Sequence, residues 1–89
     1  MTLRLEKGKV GHQTMLYLIG GLRSDDIETL RSEIEREGPG GLVLNLRELN
    51  IIDLSGVRYL LVCQSKGLEL TECPPYVREW MKRESQGRG

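Results

Sequence analysis

Phenylalanine is absent from the 89-residue sequence, and one tryptophan and three tyrosines are the only aromatics. A core without Phe has to be aliphatic, built from Leu, Ile and Val, with Trp80 and the tyrosines at its margins. There is no excess of either charge, because 13 basic and 13 acidic residues cancel. Non-specific nucleic-acid binding needs surplus Lys and Arg to displace counterions from phosphates, so nucleic acid is not an expected partner. Histidine occurs once, as His12, and the two cysteines, Cys63 and Cys73, make neither a CxxC pair nor a zinc spacing. No metal or cofactor is therefore expected, and the thiols read as small buried side chains in a reducing compartment. No run approaches the roughly 20 apolar residues of a membrane span. The opening MTLRLEKGK also lacks a signal peptide's apolar segment. These absences predict a cytoplasmic, soluble domain that is not membrane-embedded.

Length limits the chain to one domain with one shared core. Residues 2–6 (TLRLE) alternate as an edge strand, residues 7–13 read as a turn with Gly8 and Gly11, and 14–19 (TMLYLI) form a more buried strand ended by Gly20-Gly21. A helix is predicted from Asp25, with Asp25 and Glu28 as a capping box and Ile27, Leu30 and Ile34 on its inner face. Gly38-Pro39-Gly40-Gly41 stops it. Residues 42–46 (LVLNL) read as a central strand, and 47–53 as a connection. The run GVRYLLVCQ reads as a helix of two to three turns, signalled by Ser55 in front and Gly67 behind. A strand at 68–71 follows, then a helix after Pro74-Pro75 with Val77, Trp80 and Met81 inward. The expectation is an α/β domain over residues 1–84, ordered β-β-α-β-α-β-α. Its sheet is expected to be four-stranded and mostly parallel, with three helices, and residues 85–89 to form a disordered tail.

Catalysis finds little support in the residue types. Ser55 lacks a G-x-S-x-G context and a basic partner, Asp53 lacks a second acid, and the glycines at 20–21 and 38–41 fit no phosphate loop. No catalytic residue is assigned. The informative stretch is Asp53-Leu54-Ser55-Gly56, a polar knot between two apolar runs. Its local reading has Ser55 capping the helix from the amide of Arg58, Asp53 bracing the turn, and Gly56 allowing close approach. Phosphate on a hydroxyl at such a helix start would be tolerated while its charge remade a docking surface.

The stretch LVLNLRELNIIDLSGVRYLL resembles the signature of STAS domains, the family named for sulfate transporters and anti-sigma factor antagonists. LIGGLRSDDIETLRSEI and PPYVREWM resemble that family's first helix segment and its last helix, so the likeness runs over residues 2–84. It implies a SpoIIaa-like fold and a non-enzymatic regulator of transcription. In the anti-sigma antagonists, a partner that is both serine kinase and anti-sigma factor phosphorylates the first hydroxyl after the Asp. Other family members are subunits of bacterial phospholipid-transport ABC complexes, stressosome pieces or transporter tails, which makes a structural subunit beside a transporter ATPase the alternative.

Three departures bear on the function. The phosphorylated position falls on Leu54, leaving Ser55 as the candidate phosphosite; Arg23 stands where many antagonists carry an acid; and the second helix is shorter than the family's. The expected partner-binding edge comprises Asp53, Leu54, Ser55, Gly56, Arg58 and Tyr59, with Arg23 and Ser24 beside them.

Overall fold

In the computed structural model, which describes residues 2–38 and 40–87, the chain forms a mixed five-stranded sheet and three α-helices. Strands β1 (Arg4–Val10) and β2 (Gln13–Leu22) make an antiparallel hairpin. A short 3-10 turn (Ser24–Asp26) leads into α1 (Ile27–Glu37), followed by β3 (Leu42–Asn45) and β4 (Leu49–Ile52). Helix α2 (Leu54–Ser65), strand β5 (Glu69–Thr71) and helix α3 (Pro75–Gly87) complete the fold.

Several expectations are corrected. The sheet has a fifth strand and is mixed rather than mostly parallel, because its longest ladder is the antiparallel β1–β2 pair, while β2–β3, β2–β4 and β3–β5 are parallel. The turn expected at residues 7–13 shrinks to Gly11-His12, because Lys7, Gly8 and Lys9 pair with Leu16, Met15 and Thr14. The connection expected at 47–53 contains β4, which takes up the ladder along β2 beyond the β3 pairing. Gly20-Gly21 does not end β2; Gly20 (φ 96°) and a shift in register bend the strand there, and pairing continues to Leu22. The capping box at the first helix joins Arg23 and Asp26, not Asp25 and Glu28: the Arg23 N–H donates to Asp26 Oδ2 at 3.0 Å. Helix α3 includes Ser85, Gln86 and Gly87, so the first three residues of the expected tail are helical. Met1, Pro39, Arg88 and Gly89 lie outside the described residues.

One core cluster joins Leu16, Leu18 and Leu22 of β2 with Leu42 and Leu44 of β3 and with Leu30, Ile34, Val57, Leu60, Val77 and Met81 of the three helices. Even-numbered β2 residues therefore face the helical layer. Met15, Tyr17 and Ile19 lie on the other face, in register with Val43 and Asn45 of β3. Among the described residues no polar or charged residue is buried. Lys7, on the same face of β1 as Leu5, reaches Glu33 (2.8 Å) and Glu37 (2.7 Å) and ties the edge strand to α1. These partners raise the Lys7 ammonium above its ordinary value, and the Lys7 hydrogen bond lowers the Glu33 carboxyl.

Candidate functional site

The polar knot sits where β4 passes into α2, against the end of β2. Residue 53 is extended (φ −107°, ψ −179°), and its side chain turns back onto the helix start. The Gly56 N–H donates to Asp53 Oδ1 at 2.9 Å, and the Ser24 N–H donates to Asp53 Oδ2 at 3.0 Å. One carboxylate thus caps α2 and fastens the turn that begins α1, 29 residues earlier in the chain. Its negative charge also lies at the positive end of the helix dipole, where a carboxylate is favoured. The Asp53 N–H extends the ladder by donating to the Leu22 carbonyl at 3.2 Å.

This geometry corrects two assigned roles. Ser55 is not the cap; Asp53 is, and Ser55 is an exposed residue in the first turn of α2. Gly56 does not open the backbone to a partner, because it is buried. A Cβ built there would lie 2.5 Å from the Leu22 carbonyl oxygen and 2.7 Å from Ile52 Cγ1. The missing side chain lets α2 seat directly on β2 and β4.

Leu54, the first helical residue, keeps 37% of its surface exposed, so it does not fold inward. Arg23 and Ser24 are exposed on the adjoining turn, which Asp53 holds in place. Arg58 is exposed and its Nε lies 3.3 Å from Glu84 Oε1 of α3. Tyr59 is half-buried rather than exposed and packs against the core. Burial and its neighbour Cys63 push the Tyr59 hydroxyl up to about 12.

The structure therefore brings Asp53, Ser24 and Gly56 into direct contact, with Leu54, Ser55 and Arg23 on the surrounding surface. Reading the residues alone missed Leu22, Glu84 and the bond that Asp26 accepts from Arg23. Asp26 had a signal, the three-residue spacing from Arg23. Leu22 and Glu84 act through contacts distant in sequence and had none.

Among the described residues no group of three or more His, Cys, Asp or Glu side chains comes together. No helix of the described residues is long and apolar enough to cross a membrane.

A scan against protein-family models and a search of curated proteins find no match. Similar solved structures include the following two. "Crystal Structure Analysis of Mglu" superposes with a TM-score of 0.62 at 25% identity, covering 79% of this chain and 19% of that one. "Crystal structure of Mglu in its native form in the presence of 4.3M NaCl" gives a TM-score of 0.46 at 17% identity, covering 83% and 26%. The first supports the small α/β architecture. This chain spans about a fifth of its length, so the similar unit there is one part of a longer chain.

Proposed function

We propose that this chain is a STAS-like, non-enzymatic domain that docks to a protein partner in the manner of an anti-sigma factor antagonist, through the start of α2 and the adjoining 23–26 turn. Leu54 carries the reading: a leucine 37% exposed, among polar neighbours, on a turn tied down on both sides by Asp53. Rigidly held apolar groups with a polar rim suit the centre of an interface, because little ordering remains to be done on binding. With leucine at the family's usual hydroxyl position, binding is constitutive. Arg23, Ser24, Asp25 and Arg58 supply the polar rim.

The domain's occurrence within a longer chain favours a second reading, a building block of a larger assembly such as a transporter complex.

The test is capture of partners from the source cell by a tagged chain, with Leu54→Glu and Val10→Glu compared. Leu54→Glu is expected to reduce partner recovery at least tenfold, in line with loss of a central apolar contact, while leaving the fold intact by circular dichroism. Val10, 53% exposed on the hairpin, serves as the control and should not matter. Equal loss from both variants defeats the reading. Phosphate found on Ser55 after incubation with a captured kinase and ATP would replace constitutive docking with a switch. Recovery of a transporter ATPase without a kinase would favour the second reading.

A further inference from the structure

Beyond the docking edge, a separate cleft opens at the other end of α2. It lies between the carboxyl half of α2, the end of β5 and one face of α3 from Arg78 to Ser85, and holds about 500 Å³. That volume is within the range of small-molecule sites, roughly 300–1,000 Å³. Its apolar wall comprises Leu61, Leu70 and Met81. Arg78 and Lys82, four residues apart on α3 and so on one face, supply two cations, against a single acid, Glu72.

Three features of this cleft bear on binding. Among the described residues neither Arg78 nor Lys82 forms an ion pair, so neither charge is already committed to a carboxylate. The turn closing the cleft holds Glu72 at φ 55°, the left-handed conformation that residues other than glycine seldom adopt. Strain of this kind gathers at ligand sites. Burial raises the Cys73 thiol at the cleft wall, and the nearby Arg78 charge works against that rise.

We infer that this cleft binds an anionic amphiphile, with its acyl chain along Leu61, Leu70 and Met81 and its carboxylate between Arg78 and Lys82. The two parts reinforce each other. The apolar wall lowers the local dielectric, which strengthens each charge-assisted hydrogen bond to the head group, and the paired cations fix which end enters. A tail without a charge, or a charge without a tail, uses only half of the site.

Calorimetric titration of the full chain with decanoate, decanol and inorganic phosphate tests this directly. Decanoate is expected to bind at one site. Decanol and phosphate should each bind at least tenfold more weakly. The Arg78→Gln/Lys82→Gln double variant should lose at least tenfold in decanoate affinity, which corresponds to about 1.4 kcal/mol. Both positions are exposed, so the variant is expected to fold, and an unchanged melting temperature checks that. Bound decanoate should also slow maleimide labelling of Cys73, read by mass spectrometry; Cys63 is buried and serves as the internal reference. No decanoate binding, equal affinity for decanol or phosphate, or an unaffected double variant overturns the inference. Unprotected Cys73 labelling overturns it as well.

Discussion

At its amino end α2 is held by residues far away in the chain: Asp53 fastens it to Ser24, and Gly56 lies flat against Leu22 and Ile52. At its carboxyl end the ties are all local. The Leu68 N–H donates to Cys63 O and the Gly67 N–H to Gln64 O, both at 3.0 Å, with Gly67 at φ 92°. This is the Schellman closure that a glycine after the last turn encodes. The two glycines do opposite jobs. Gly56 has ordinary helical backbone and no room for a methyl group, whereas Gly67 has room on every side and a backbone that other residues resist. One end of the helix is thus specified by packing and the other by conformation, and the packed end is the one we assign to partner docking.

Gly56→Ala attacks the packed end and should have the largest effect. Alanine in a helix interior normally gains about 1 kcal/mol over glycine. Here the contacts at 2.5 and 2.7 Å reverse that sign. A net loss of about 2 kcal/mol is expected from overpacking, measured by urea unfolding. A stabilised variant would mean that α2 does not seat on β2 as described.

Asp53→Ala should cost about 1–2 kcal/mol, since it removes the helix cap and the tie to Ser24 together. Asp53→Asn, which still presents an accepting oxygen to Gly56 but sets its NH2 against the Ser24 N–H, should recover only the cap's part of that loss in the same measurement. Equal losses from both variants would place the stabilisation in the Ser24 tie and the charge rather than in the cap.

Gly67→Ala probes the conformational end, where only backbone strain is at stake. About 1 kcal/mol of destabilisation is expected, without any change in partner binding. Finding a larger loss here than at Gly56 would invert the contrast between the two ends.

At neutral pH the smallest effect belongs to Tyr59, whose contribution shows only in alkali. Its folded-state hydroxyl is raised to about 12 from an ordinary value near 10, so the neutral form is favoured by folding. That contribution is complete below pH 10 and is lost as pH rises from about 10 to 12. Tyr59→Phe should therefore show a shallower alkaline loss of stability than the parent, and ultraviolet titration of the parent should find one tyrosine ionising near pH 12. Identical alkaline profiles would dismiss burial as the cause.

How much of this was legible in the sequence follows the same division. The stop of α1 at Gly38, the closure of α2 at Gly67 and the start of α3 at Pro75 are each written within a few neighbouring residues, and all could be read. Strand β4 was missed because LNII is only four residues long and half exposed, with too little alternation to separate it from a loop. The cap was assigned to Ser55 because hydroxyls are frequent caps. Choosing between Asp53 and Ser55 required knowing that Ser24 waits on the far side of the carboxylate.

By itself, the sequence determined an aliphatic single-core α/β domain, the order of its helices, and the Asp53–Gly56 knot as its most informative stretch, because periodicity, caps and breakers act over a few residues. Only the tertiary structure decided that the sheet is mixed, that Gly56 serves packing, that Leu54 stays on the surface, and that Arg78 and Lys82 share one cleft with Leu61, Leu70 and Met81. Those outcomes depend on which distant segments meet, and contacts between distant segments leave no local signature in the residues that make them.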